Sequence, residues 1–347
     1  MKNFPTLCGA ILAALSLSAS LALAADAPQS GYNPLETFAP FVYPQPANGY
    51  RSGSGRPGPL FWQNRADYQI KAALDPATRK LTADEVITYI NHSPDDLDVL
   101  WLQVEQNRYL KDARGAFDAG KFPTEFTDGE HIASVAVEGA DGKLQKADWV
   151  ISDTRMQIRL PQPLKARDGK LRVHISYSYT VPGEFGGRTD VNPTKNGDIF
   201  EIAQWYPRMC VYDDLRGWNT DPYLNQEFYL EYGDYDYSVT VPWNMIVVGS
   251  GELLNPQDVL TKTEMQRLEQ ARHSDTTVMI RLADEVNDPN SRPKQSGTLT
   301  WHFRIQNSRD AVFGASKAYI WDAARINLGN GKTALAESAY PVESAGK

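Results

Sequence analysis

The sequence predicts a mainly β protein, a large antiparallel saddle-like sheet or sandwich carrying a few short helices. Three observations predict it. About ten segments alternate apolar and polar residues with period 2, they recur at spacings of roughly 10 to 30 residues, and no helical pattern of crossover length separates them. The composition agrees with a folded chain: of 347 residues 41% are hydrophobic and 22% charged, with 25 Gly and 22 Pro.

The first residues are set aside before the strands are read. Lys2 is followed by an apolar stretch from Leu7 to Leu23, and Ala22-Leu23-Ala24 has the small-x-small form of a signal-peptidase site. Residues 1–24 are therefore expected to be a cleaved signal peptide, and the protein to be exported, periplasmic or secreted. Cys8 lies too near the start for a lipoprotein signal, and no later segment approaches the length of a membrane span. Losing Lys2 takes the formal charge from −8 to −9, an acidic balance that leaves no electrostatic footprint for nucleic acid. With Cys8 gone, Cys210 has no partner for an internal disulfide.

Residues 25–59 read as a lead-in. Phe41-Val42-Tyr43-Pro44-Gln45-Pro46 and the Gly, Ser and Pro from Ser52 to Pro59 withhold backbone donors and raise the entropy cost of ordering. The folded part is expected over 60–347. Tyr68, Ile70, Ala72 and Leu74 alternate with polar residues, Asp75-Pro76-Ala77-Thr78 supplies a turn, and Leu81 to Asn91 returns, so a hairpin opens the sheet. Further strands are expected at Val99 to Val104, Ile132 to Val137, Arg155 to Leu160, Leu171 to Val181, Ile199 to Tyr206, Tyr235 to Val241, Met245 to Gly249, Thr277 to Leu282 and Leu299 to Ile305. In two of them the faces are plain: Leu171, Val173, Ile175, Tyr177 and Tyr179 oppose Arg172, His174, Ser176 and Ser178, and Leu299, Trp301, Phe303 and Ile305 oppose Thr300, His302 and Arg304. Asn255-Pro256 begins a short helix ending near Arg272 and His273, and Ala311 to Ala324 fits either a second helix or a strand.

The five histidines, His92, His131, His174, His273 and His302, have no partner at the three- or four-residue spacing of a zinc helix. Gly249-Ser250-Gly251 reads as a tight turn and not a nucleophile elbow. Cys210, amid aromatics and away from any histidine, reads as a structural thiol. Asp234 and Asp236 share one strand face opposite tyrosines, either a solvated acidic face or part of a calcium site or a carboxylate pair. The densest stretch runs from Phe200 to Asn219, where a strand delivers Gln204 and Trp205 to a proline and then to a loop of large aromatic and charged groups, the make-up of a binding edge.

Gln204-Trp205-Tyr206-Pro207, then Val211-Tyr212-Asp213-Asp214 and Gly217-Trp218, the run from Glu227 to Pro242, and Val247-Val248-Gly249-Ser250-Gly251-Glu252-Leu253 resemble the N-terminal β-domain of zinc aminopeptidases of family M1. Thr88 to Leu97 and Asn307 to Ser316 echo it, and the likeness runs from about Leu60 to the C-terminus. The resemblance implies a β-domain that leans on a thermolysin-like catalytic domain bearing Gly-x-Met-Glu-Asn and His-Glu-x-x-His. Neither motif occurs here, so the chain is expected to be truncated before that domain, to hold no zinc or other cofactor of its own, and to be inactive by itself.

One role is implied for residues that are present. In that family the N-terminal domain lends a Glu or Gln to the substrate's free amine. Glu201 and Gln204 lie in the matching strand, and with Trp205 and Tyr206 they form the candidate substrate-binding set; a cationic amine needs a carboxylate or amide oxygen. The implied partners are a peptide N-terminus and a catalytic domain, in a longer chain or a separate polypeptide. Two other readings stand beside this one. The first is an exported stand-alone module binding peptide or sugar through Trp205, Tyr206, Tyr212, Trp218 and Tyr223. The second is a complete enzyme working through Glu201 or Gln204.

Overall fold

A computed structural model describes residues 47–117, 125–139, 142–183, 187–224, 226 and 228–344. The expected signal peptide, Cys8, the first part of the lead-in and Glu227 lie outside the described residues. The chain divides into two compact units, Met1–Phe61 and Trp62–Lys347. In the first, the described segment is a tight loop closed by an Arg51–Pro57 bridge, with the Asn48 side chain accepting from the Tyr50 and Arg51 amides at 2.8 Å.

The second unit is built on an eight-stranded sheet. Its order is Glu252–Leu253, Thr298–Ser308, Gly233–Pro242, Arg65–Asp75, Lys80–Asn91, Gly169–Thr180, His131–Glu138 and Leu144–Lys146. Strict alternation fixes one face inward along each long strand, as in Gly233–Pro242, where Tyr235, Tyr237, Val239 and Val241 are buried and Asp234 and Asp236 face out. The opening hairpin turns where Asp75 accepts from the Ala77 amide at 3.0 Å and the Thr78 hydroxyl at 2.7 Å. One pairing departs from the antiparallel expectation: Arg65–Asp75 runs parallel to Gly233–Pro242, with Tyr68 opposite Tyr235. That register stacks the two tyrosine rings at 4.8 Å and 6° inside the core, while Tyr237 stacks on Phe303 at 5.3 Å.

Smaller sheets share the same core. Leu97–Gln103 pairs with Arg155–Leu164 and Arg208–Met209, and Asp148–Ser152 extends that sheet beyond Arg155–Leu164. Ile199–Ile202 sits between Thr189–Asn192 and Phe313–Ser316, the latter also pairing with Ile246–Gly249. Val278–Arg281, Tyr319–Gly329 and Lys332–Pro341 make a three-stranded sheet. Ile70, Leu100, Phe200 and Trp321, one from each of the four larger sheets, all belong to one hydrophobic cluster.

Several sequence expectations change. The helix after Asn255 is two helices, α1 (Pro256–Val259) and α2 (Lys262–Arg272). They part because Leu260 is extended and Thr261 caps α2 reciprocally with Glu264, the Thr261 amide donating to the carboxylate at 2.8 Å. Ala311 to Ala324 is not a helix; it forms two strands broken where the Ser316 hydroxyl accepts from the Ala318 amide at 2.9 Å. The strand expected through Tyr206 stops at Ile202, because Gln204 takes a left-handed φ of 52° and turns the chain away. The short pairings around residues 208 to 218, the edge strands at 144–146 and 148–152 and the Lys332–Pro341 strand had no clear periodic signal.

Candidate functional site

The bend at Gln204 organises the region. Its carbonyl accepts from Gln106 Nε2 at 2.7 Å, and the same nitrogen reaches Thr189 Oγ1 at 3.3 Å, so the short 3-10 helix Glu105–Tyr109 holds the turn together with the strand Thr189–Asn192. The next two rings pass inward. Trp205 is fully buried, donates its indole N–H to the Ala311 carbonyl at 2.8 Å and meets Phe313 edge-on at 5.3 Å. Tyr206, 1% exposed, donates its hydroxyl to Asp310 at 2.8 Å. Both rings are core, so neither presents a face to a ligand.

Arg208 comes next and is 4% exposed. Its Nε donates to Glu105 at 2.8 Å, its Nη2 donates to the same oxygen, and its Nη1 donates to Asp310 at 2.7 Å. Burial works against the guanidinium's charge, but the two carboxylates outweigh it and hold it above its ordinary value. Glu105, 1% exposed, is displaced upward by burial, and Arg208 offsets part of that. Removing one member of such a group leaves a buried charge uncompensated.

Above this charged floor lies a hollow of about 250 Å³, walled by Gln204, Phe228, Tyr229 and Val312, with Arg188 and Arg309 at its sides. Gln204 is 7% exposed; its amide nitrogen donates to the Tyr223 hydroxyl at 3.4 Å, and among the described residues no donor engages its Oε1. That oxygen is the acceptor a primary amine needs. Glu201 is exposed on Ile199–Ile202, between Asp190 and Gly314, and does not line the hollow. Of the four sequence-derived candidates, then, the structure brings Gln204 to the hollow, leaves Glu201 on the neighbouring sheet, and buries Trp205 and Tyr206.

Two features beside the hollow were not singled out from the sequence. Glu231 is 7% exposed, and burial, helped by the nearby Asp213, pushes its carboxyl up to about 8. Tyr229 and Tyr232 are 42% and 39% exposed, Arg309 stacking over the Tyr232 ring at 4.6 Å. The sequence signal available was the aromatic density of residues 228 to 237. Of the five rings proposed for a stand-alone binding loop, Tyr223 is buried along with Trp205 and Tyr206, though at 5% exposure less completely, while Tyr212 and Trp218 pack on each other at 5.2 Å and are half-buried.

The histidines of the described residues are spread apart and do not gather into a zinc centre. Four histidines each lean on a different carboxylate: His92 on Asp168, His174 on Glu138, His273 on Glu269 and His302 on Asp236. Among the described residues no three His, Cys, Asp or Glu side chains converge as a metal would require. Asp236 is already shared between His302 and Arg304, which argues against the carboxylate-site reading of Asp234 and Asp236. Cys210 is buried, and burial pushes its thiol up, out of the reactive range.

No protein-family model and no curated protein matches the chain. Among solved structures it is similar to a mutant of a two-domain M1 zinc metallopeptidase bound to L-tryptophan, at 14% identity and a TM-score of 0.42 over 81% of this chain and 48% of the other. An M1 zinc metallopeptidase from Deinococcus radiodurans aligns at 13% identity and a TM-score of 0.41, over 80% of this chain and 47% of the other. The chain thus spans about half the length of these structures.

Proposed function

We propose that this chain is the substrate-flanking β-domain of an exported M1-type zinc metallopeptidase, an aminopeptidase whose zinc chemistry is supplied by residues outside this sequence. The observation that carries the reading is the Gln204 side chain. It sits at the bend two residues beyond the strand Ile199–Ile202, in the stretch that the sequence resemblance marks for amine recognition, and it stands at a solvent-open hollow with no donor among the described residues on its Oε1. In this reading Gln204 accepts from the ammonium of a peptide's first residue, and the exposed Tyr229, Tyr232 and Val312 around the hollow meet the catalytic domain. In this reading the chain alone is silent toward peptides, since no metal-ligating cluster gathers among its described residues to activate a water.

The test is titration of a short peptide bearing a free N-terminus into the chain, followed by NMR shifts or calorimetry. The expected result is weak, saturable binding that N-acetylation abolishes and Gln204→Ala weakens at least about tenfold, the scale of one charge-assisted hydrogen bond. Equal binding of the acetylated peptide would overturn the role of Gln204, as would peptide hydrolysis by the isolated chain the claim that it is silent.

A further inference from the structure

A second hollow, of about 120 Å³, is lined by Trp243 and Asn244, by Arg281 at the end of Val278–Arg281, by residues of the 287–292 segment and by Lys317. It shares no lining residue with the Gln204 site. The backbone brings its cations together. The register of Val278–Arg281 against Tyr319–Gly329 slips between Met279 and Arg281, so Ile280 and Arg281 are both buried where strict alternation would send one of them out. Arg292, 5% exposed, is held by Glu264 at 3.1 Å and by the Val259 carbonyl at 2.8 Å, and Lys317 stands exposed at the rim.

The charges around this hollow do not balance. Arg267, Arg281 and Arg292 share two nearby carboxylates, and both are taken: Glu264 pairs with Arg292, and Glu285 with Arg267 at 2.8 Å. Arg281, 2% exposed, is left with no carboxylate in contact among the described residues. Its Nη1 reaches the Lys317 and Tyr319 carbonyls at 3.4 and 3.3 Å, its Nη2 reaches the Glu285 carbonyl at 3.3 Å, and its Nε has no acceptor. Those distances are long for a charged donor, which closes on an anion at about 2.7 to 2.9 Å. Burial, with Arg292 beside it, lowers the guanidinium to about 10, so the attraction of Glu264 and Glu285 does not make up what water would have given it. Lys317 adds a cation with no ion pair among the described residues. Against these stands Asp288, the one carboxylate of the described lining, whose Oδ1 accepts from the Asn290 amide at 2.9 Å.

From this arrangement we infer that the hollow binds one small tetrahedral oxyanion, sulfate or inorganic phosphate. The anion accepts from the Arg281 guanidinium and the Lys317 ammonium. Arg292 adds charge alone, its donors being spent on Glu264, Val259 and Trp243. At about 30 Å³ per water the space suits a four-oxygen anion and is too small for an ordinary organic ligand. A guanidinium fork engages several oxygens at once, which a halide cannot offer.

Calorimetry on the whole chain tests this, with sodium sulfate and sodium phosphate titrated at matched ionic strength against sodium chloride. At least one of the two oxyanions is expected to bind saturably at one site, and the pair of titrations shows which; chloride should bind at least about tenfold more weakly. Arg281→Gln should weaken the oxyanion at least about tenfold. Lys317→Gln, on the exposed rim where folding is not at stake, should weaken it about threefold to fivefold. Asp288→Asn keeps the acceptor for the Asn290 amide and removes the opposing charge, so it should tighten binding. Absence of saturable binding by both oxyanions, chloride binding as tightly, or unchanged affinity in Lys317→Gln and Asp288→Asn would overturn the inference.

Discussion

Glu231→Gln should make the protein more stable, and by an amount that depends on pH. Glu231 is 7% exposed, with Asp213, Tyr229 and Tyr89 around it and Arg309 as the cation that partly offsets them. Burial first, then Asp213, raises its carboxyl from 4.5 to about 8. In the unfolded chain the group loses its proton near 4.5, while in the fold it keeps it until about 8. The unfolded state therefore binds fewer protons between these values, and stability falls as pH rises through that window. At one proton the slope approaches about 1.4 kcal/mol per pH unit, which accumulates to an upper value of about 3 kcal/mol at pH 7. Glutamine cannot ionise and keeps the shape, so the variant escapes this penalty. Urea denaturation of both proteins at several pH values between about 4.5 and 8 reads the difference directly. Glu85 and Glu130, also buried and raised, tilt both curves alike, so only the gap between them matters. The curves should meet near pH 4.5 and separate upward. A gap constant across the window, or a variant less stable at pH 8, would refute the reasoning.

Other outcomes follow from the same structure. Arg208→Met should cost about 3 to 5 kcal/mol in urea denaturation, since Glu105 and Asp310 lose their shared cation. Gly233→Ala should cost at least about 3 kcal/mol or prevent folding, because its Cβ would fall 1.6 Å from the Ala66 carbonyl oxygen; a soluble, cooperatively melting variant would contradict the close approach. Thr261→Ala removes the reciprocal cap of α2 and should lower stability by about 1 kcal/mol, with Thr261→Ser restoring most of it.

Most long strands were legible because alternation is itself the physics of a half-buried sheet. Leu171 to Tyr179 and Leu299 to Phe303 are such cases, and their buried faces are the ones the pattern marks. The parallel partnership of Arg65–Asp75 was not legible, since periodicity names a face but not a neighbour. The strand end at Ile202 was hidden for another reason: a left-handed Gln204 is imposed by Gln106 and the surrounding strands, not by local preference. At the candidate site, Gln204 was readable through motif resemblance, whereas the aromatic character of Trp205 and Tyr206 pointed equally to core and to ligand, and only packing decides between them. Glu85 did carry a signal, occupying the inward slot between Ala83 and Ile87 in an otherwise apolar face.

The parallel pairing also sets a clock on synthesis. Tyr68 cannot meet Tyr235, nor the Asp67 carboxylate the Asp234 amide, until a further 167 residues have been made. At ordinary elongation rates this is a wait of about 10 to 30 s, far longer than a hairpin needs to close. Throughout that interval the first hairpin stands with one long edge unsatisfied and its tyrosines uncovered. A nascent chain halted anywhere before Pro242 would present that edge as a ready template for strand addition until its true partner emerges.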